Sequence, residues 1–134
     1  MAIFERPISI SFGDCDPAGI VYYPNYFRWM DGTFHALLQE RGGGHRNVCA
    51  ELNARGTGLM EAKLEFRSPA SEGMVIVYSI DEISWAGRSF DISYSARHGD
   101  RLILEGHERR GLFVEKDDRL RASAVSPLRA ILNL

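Results

Sequence analysis

Phe27, Met30, Phe34, Leu37 and Leu38 recur at spacings of three and four, the stripe of a helix that buries one face. This one long helical period is followed by four runs of strand character, roughly Gly58–Arg67, Met74–Ser84, Ser89–His98 and Leu102–Val114. The combination leaves few architectures. Consecutive strands joined by short turns pair antiparallel, and a lone striped helix has to bury its stripe on one face of the resulting sheet.

The segment boundaries follow from turn chemistry. Pro24 suits the first helical position, where its missing N–H is no loss. The run "RGGGH" stops the helix near Arg41, because glycine is the usual residue past a helix C-terminus. Ahead of the helix, "IFERPISISFGD" alternates Ile8 and Ile10 with Ser9 and Ser11 and reads as a strand ending at Gly13. Pro7 places that strand near an edge, since proline cannot donate to a ladder. "SPASEG", "WAGR" and "HGD" separate the later strands, the last with short Gly-Asp hairpin chemistry. "RNVCAELNARG" reads as a short second helix, "EKDDR" as a further turn, and "SPLRAIL" as a closing helical turn from Ser126. The expected class is α+β, with an antiparallel sheet curved around a central helix. Dense aromatic and aliphatic residues in the strands argue that the other sheet face is half covered in a lone chain, so association is expected.

At 134 residues the chain fits one domain spanning 1–134. A net charge of −2 carries no nucleic-acid signal. Cys15 and Cys49 form neither a disulfide scaffold nor a CxxC metal pair, so no metal site is expected. No apolar run approaches the roughly 20 residues of a membrane span, and "MAIFERPISI" lacks the pattern of a signal peptide. The expected setting is cytoplasmic.

The chemistry-bearing stretch is "FGDCDPAGIVYYPNY", Phe12 to Tyr26. A calcium loop begun at Asp14 lacks two ligands, because Ala18 and Asn25 stand where an acid or amide and a glutamate are needed. A plain turn accounts for Asp, Pro and Gly by local backbone preference, with Asp14 or Asp16 helping to cap the helix. A catalytic reading uses the same geometry: unbonded N–H groups at a helix start polarise a carbonyl, and a nearby carboxylate attacks it or activates water.

"GDCDPAGIVYYPNYFRWMD" resembles the signature of the 4-hydroxybenzoyl-CoA thioesterases of the hotdog-fold superfamily, nearly continuously over Phe12 to Asp31 and more loosely beyond. The resemblance implies a hotdog fold: a five-stranded antiparallel sheet wrapped around one long central helix. It implies hydrolysis of an aromatic, 4-hydroxybenzoyl-like CoA thioester, with Asp16 as nucleophile or general base and the Tyr23 N–H as oxyanion donor. It places Asp31 at a ring hydroxyl, Tyr22 in the acyl pocket and Arg88 of "WAGRSF" at the phosphates of coenzyme A. Coenzyme A is then part of the substrate and no separate cofactor is needed. It also implies a homodimer or a homotetramer built from two dimers. Two departures bear on substrate: Ala86 and Gly87 stand where the family hairpin is basic, and Tyr22 where close members carry tryptophan. Arg97, Arg101 or Arg109 are alternative phosphate contacts.

Other readings of the same fold are a non-catalytic acyl-CoA-binding module and a hydroxyacyl-thioester dehydratase. The second ordinarily uses a histidine, and "YYPNY" has none. His35 lies beside the helix stripe and Cys15 beside Asp16; each reads first as structural. "HERRGLF" reads as a solvated basic edge or a phosphate contact. Glu61 alternates with apolar strand positions, which makes it solvent-facing by default and, if turned to the pocket, a support for the attacking water.

Overall fold

The computed structural model describes all 134 residues. Its elements run β1 (Phe4–Ser9), a 3-10 turn (Phe12–Asp14), α1 (Pro24–Gly42), α2 (His45–Leu52), β2 (Gly56–Phe66), β3 (Val75–Trp85), β4 (Phe90–His98), β5 (Arg101–Lys116), β6 (Arg119–Ser123) and α3 (Ser126–Leu132). The sheet path is β1-β3-β4-β5-β2, with every pair antiparallel. These five strands and the long helix are the arrangement expected from the sequence.

The helix stripe is wider than its aliphatic members indicate. Tyr26, Trp29 and Thr33 join Met30, Phe34, Leu37 and Leu38 as buried residues, while Phe27 is only half-buried. Against them lie Ile76, Tyr78 and Ile80 of β3 and Ile92, Tyr94 and Ala96 of β4, which form one core with the helix. The Tyr78 hydroxyl donates to the Tyr26 carbonyl at 2.8 Å, so strand and helix also share a hydrogen bond. Gly43 takes a left-handed conformation after the last turn, and the Gly44 N–H reaches back to the Leu38 carbonyl at 3.0 Å. That closure is open to glycine at little strain.

Two expectations change. "EKDDR" is a turn, but a hairpin turn: Asp117 and Asp118 both adopt positive φ, the signature of a primed two-residue loop. The chain therefore returns as β6, paired with Leu112–Lys116 of β5. Leu112 also pairs with Thr57 of β2, so β6 takes the side of β5 that β4 leaves at Arg110. The second change concerns the sheet's outer face. Glu5, Ser79, Ser93, Ser95, Glu105, His107 and Glu61 line it, following the pairing register. It is a mostly polar face, with Val75 and Val77 among the polar side chains. Exposed apolar side chains collect instead on β2 (Leu59, Met60, Phe66) and beside the segment before α1 (Ile20, Tyr22, Tyr23). β2 is an outer strand of the path and keeps one backbone edge unpaired.

Candidate active site

The segment between β1 and α1 separates its two acids. Asp14 Oδ2 accepts the Ser11 N–H at 2.9 Å and the Ser11 hydroxyl at 3.0 Å. The Asp14 carbonyl accepts from the Tyr22 N–H and from Asn25 Nδ2. Asp14 is thus consumed in holding the segment against the helix start. Asp16 opens a tight hairpin: Cys15 bridges Val21, the Asp16 N–H donates to the Ile20 carbonyl at 3.0 Å, and Gly19 turns the chain with a φ of 80°. Asp16 Oδ1 accepts the Ala18 N–H at 2.8 Å, an Asx turn that fixes the carboxylate's orientation. The side chain lines an open cleft of about 530 Å³ with Phe12, Cys15, Pro17, Gly19 and Glu72. Glu72 is an acid that strand and helix periods pass over. It arrives because the Val21 N–H bonds the Ala70 carbonyl and docks the β2–β3 connection beside the hairpin.

Tyr23 precedes α1, and no side chain caps that helix. Asn25 N–H bonds the Tyr22 carbonyl and Tyr26 N–H bonds the Tyr23 carbonyl, whereas the Tyr23 N–H has no partner in the chain. Pro24 has no N–H to compete with it. Tyr23 lines an apolar pocket of about 340 Å³ with Ile20, Val21, Tyr26, Phe66, Arg67, Ser68 and Pro69. Tyr22 packs edge-on against the Tyr23 ring at 5.6 Å and is exposed. The hairpin thus has Asp16's cleft and Tyr23's pocket on its flanks.

The other expected residues lie elsewhere. Asp31 sits on α1 and is half exposed, with Oδ1 accepting from Arg110 Nη2 at 2.7 Å. Arg110 is 2% exposed and Glu108 1%. "HERRGLF" is therefore neither a solvated edge nor a phosphate contact at Arg110: alternate residues of β5 point inward, and this one carries its charge with it. Arg110 Nε and Nη2 grip Glu108 at 3.0 Å each, and Tyr94 Oη donates to Glu108 Oε1 at 2.6 Å. Burial is the largest single influence and works against the guanidinium's charge, but the bonds and charges of Glu108, Asp31 and Tyr94 together hold its pKa above the ordinary value. Tyr94, buried beside Glu108, is pushed well up.

Glu61 does not line either pocket. A bulge between Leu59 and Glu61 shifts the register, which turns Glu61 from the face Leu59 occupies to the outer face. There it lies 3.7 Å from His107. Arg88 lies in the β3–β4 hairpin and lines a shallow groove of about 560 Å³ with Val114, Lys116, Arg121, Ala122, Ser123 and Ala124. Its basic neighbours are Lys116 and Arg121, which β5 and β6 supply. Arg97 and Arg101 lie at the other end of β4, and Arg109 pairs with Asp91 at 2.8 Å on the outer face.

His35 Nε2 stands 3.5 Å from Asp31 Oδ1. Burial holds its imidazole below the usual histidine range; Arg110 and His45 push the same way, while Asp31 and Glu108 oppose them. The folded chain therefore holds this proton less tightly than the unfolded chain. The resulting stability is complete above the unfolded pKa of about 6.5 and is lost as pH falls through the folded value. Melting temperature should decline on the acid side of that point, and His35→Gln should flatten the decline. An identical slope in the variant would place the titration elsewhere.

No helix is long and apolar enough to cross a membrane. The profile of the thioesterase-like superfamily matches residues 10–129. The 4-hydroxybenzoyl-CoA thioesterase of Pseudomonas sp. (strain CBS-3) is 33% identical over 122 residues, 87% of this chain and 86% of that one. Its three-dimensional structure matches with a TM-score of 0.83 at 31% identity, covering 96% of each chain. A gentisyl-coenzyme A thioesterase matches with a TM-score of 0.78 at 29% identity, covering 93% of this chain and 98% of the other. A segment whose Asp14 is bonded to Ser11 and whose Asp16 lines a cleft with one oxygen unbonded, followed by an unbonded N–H just before α1, is therefore found in a chain that belongs to the thioesterase-like superfamily, as a hotdog-fold relative of the 4-hydroxybenzoyl-CoA thioesterases.

Proposed function

We propose that the chain is an acyl-CoA thioesterase that hydrolyses an aromatic, 4-hydroxybenzoyl-like thioester. What supports this reading is that one short segment carries both an Asp16 carboxylate that lines a cleft and, just ahead of α1, a Tyr23 N–H with no partner in the chain. Asp16 either attacks the thioester carbon or takes a proton from the water that does. The Tyr23 N–H meets the oxygen on which negative charge grows, where a preset donor lowers the barrier. Carbon–sulfur cleavage releases coenzyme A as its thiolate, a good leaving group, and water supplies the oxygen of the free acid. Asp31 receives the ring hydroxyl and Tyr22 walls the acyl group. Arg88, with Lys116 and Arg121, offers positive charge to the phosphates of coenzyme A.

A single chain does not gather these groups, since Asp31 faces Arg110 and neither pocket includes it. We assign the completed site to a homodimer joined at the free edge of β2, with the ring contact supplied across that junction. The exposed Leu59, Met60 and Phe66 on that strand, beside exposed Tyr22 and Tyr23, support this choice. A charge at the edge should block such pairing. Met60→Asp is expected to sediment as a monomer and to lose at least about tenfold in activity; a fully active monomer would refute the shared site. The thioesterase reading itself is tested with a panel of aryl, phenylacetyl and aliphatic CoA thioesters and free-thiol detection. Aryl thioesters should turn over fastest, and no thiol from any of them would end the proposal.

A further inference from the structure

Arg110 is held from four directions. Glu108 takes two of its N–H groups, the Thr57 carbonyl takes Nη1 at 3.1 Å, Asp31 Oδ1 takes Nη2, and the Phe34 ring lies under the guanidinium at 4.5 Å. Glu108 is itself fixed by the Tyr94 hydroxyl. A planar fork with five donors can meet these demands together, which an ammonium cannot. The arrangement ends at a half-exposed carboxylate. Asp31 Oδ1 is engaged by Arg110 and faced by His35, while Oδ2 accepts no hydrogen bond from the chain.

We propose that Arg110, anchored on Glu108, is a positioning residue that presents Asp31 Oδ2 as a fixed acceptor, so that the site selects acyl rings bearing a hydroxyl donor over bare rings. This rests on the reading of Asp31 as the ring contact and adds what aims it. A freely rotating aspartate on an exposed helix turn would lose side-chain entropy on meeting each substrate. Here the buried pair has already set the orientation. A phenol meets an oriented acceptor, and an unsubstituted ring leaves that oxygen facing apolar carbon without its water, which is the costly mismatch.

The test is the ratio of kcat/KM for 4-hydroxybenzoyl-CoA over benzoyl-CoA, measured in the wild type, Asp31→Asn, the double variant Arg110→Met/Glu108→Gln, and the triple combination. The double variant removes both charges together and leaves a side-chain amide beside Tyr94 whose oxygen still accepts the hydroxyl, which favours retention of the fold. The ratio should fall at least about tenfold in Asp31→Asn and in the double variant, and adding Asp31→Asn to the double variant should lower it no further. A purely structural Arg110 predicts a native ratio in a folded double variant, or independent losses that multiply in the triple; either result overturns the proposal. Should the double variant not fold, Glu108→Gln alone decides: a lowered ratio in a folded protein supports the relay, and a native ratio overturns it. A wild type that hydrolyses neither thioester overturns this inference, and the wider panel of CoA thioesters then decides whether the thioesterase reading falls with it. A wild type indifferent to the hydroxyl overturns this inference, because Asp31 and Arg110 then confer no selectivity, but leaves the hydrolysis intact.

Discussion

Asp16→Asn should lower kcat by about 10²- to 10⁴-fold and leave KM for an aryl-CoA nearly unchanged. The substitution isolates the chemistry because of how the side chain is held. Asn keeps an Oδ1 that can accept the Ala18 N–H, so the Asx turn and the hairpin survive. It can neither attack a carbonyl nor take a proton from water at neutral pH. The apolar pocket and the basic groove, where the proposed substrate contacts lie, are untouched, so binding should persist. Asp14→Ala is the matched control. It removes the acceptor of both Ser11 donors and should cost about 1 kcal/mol of stability, as loss of a cap does, with no comparable drop in turnover per folded molecule. Thiol release on both variants, set beside melting curves, separates the two acids. A fully active Asp16→Asn enzyme would remove the carboxylate from the mechanism.

Arg110→Ala should destabilise the fold by about 3–5 kcal/mol, more than any surface substitution. The loss comes mainly from what remains. Glu108 is 1% exposed and would keep its charge with only the Tyr94 hydroxyl as partner. The Thr57 carbonyl would also lose its side-chain donor, and the space beside Phe34 would empty. Adding Glu108→Gln should restore a large part of the loss, since the charge that has no counterpart disappears. Urea unfolding gives the measurement through the midpoint at constant slope. Equal midpoints for Arg110→Ala and the parent would show that the pair contributes nothing to the fold.

Most of the fold was legible in the sequence because its signals are periodic. A stripe at helical spacing, glycine after it, and alternating runs broken by turns led to one helix on an antiparallel sheet, and the structure has that order. The misses have local causes. β6 follows an Asp-Asp hairpin, and its own apolar residue Leu120 is exposed, so no burial pattern marked "RLRAS" as a strand. Glu61 stands on the outer face beside His107, the solvent-facing position that its alternation gave by default, and the pocket alternative is the one that fails. Arg110 was hidden because all its partners but Glu108 are distant in sequence: Asp31 and Phe34 lie on α1 and Thr57 on β2. A charged residue at an inward strand position, two after Glu108, was the available signal. The acid pair in "GDCD" was singled out in the sequence, with Asp16 chosen by family resemblance; that Asp14 bonds Ser11 while Asp16 bonds Ala18 needed the structure.

The unpaired margin of β2 carries a kinetic corollary. If a working catalytic unit needs two copies, specific activity cannot be a constant of the preparation. Below the self-association constant, initial velocity should scale with the square of protein concentration and revert to first order above it. Assays run at high dilution would then understate the enzyme, and an inert second copy able to dock on the same strand would restore turnover without contributing a nucleophile of its own.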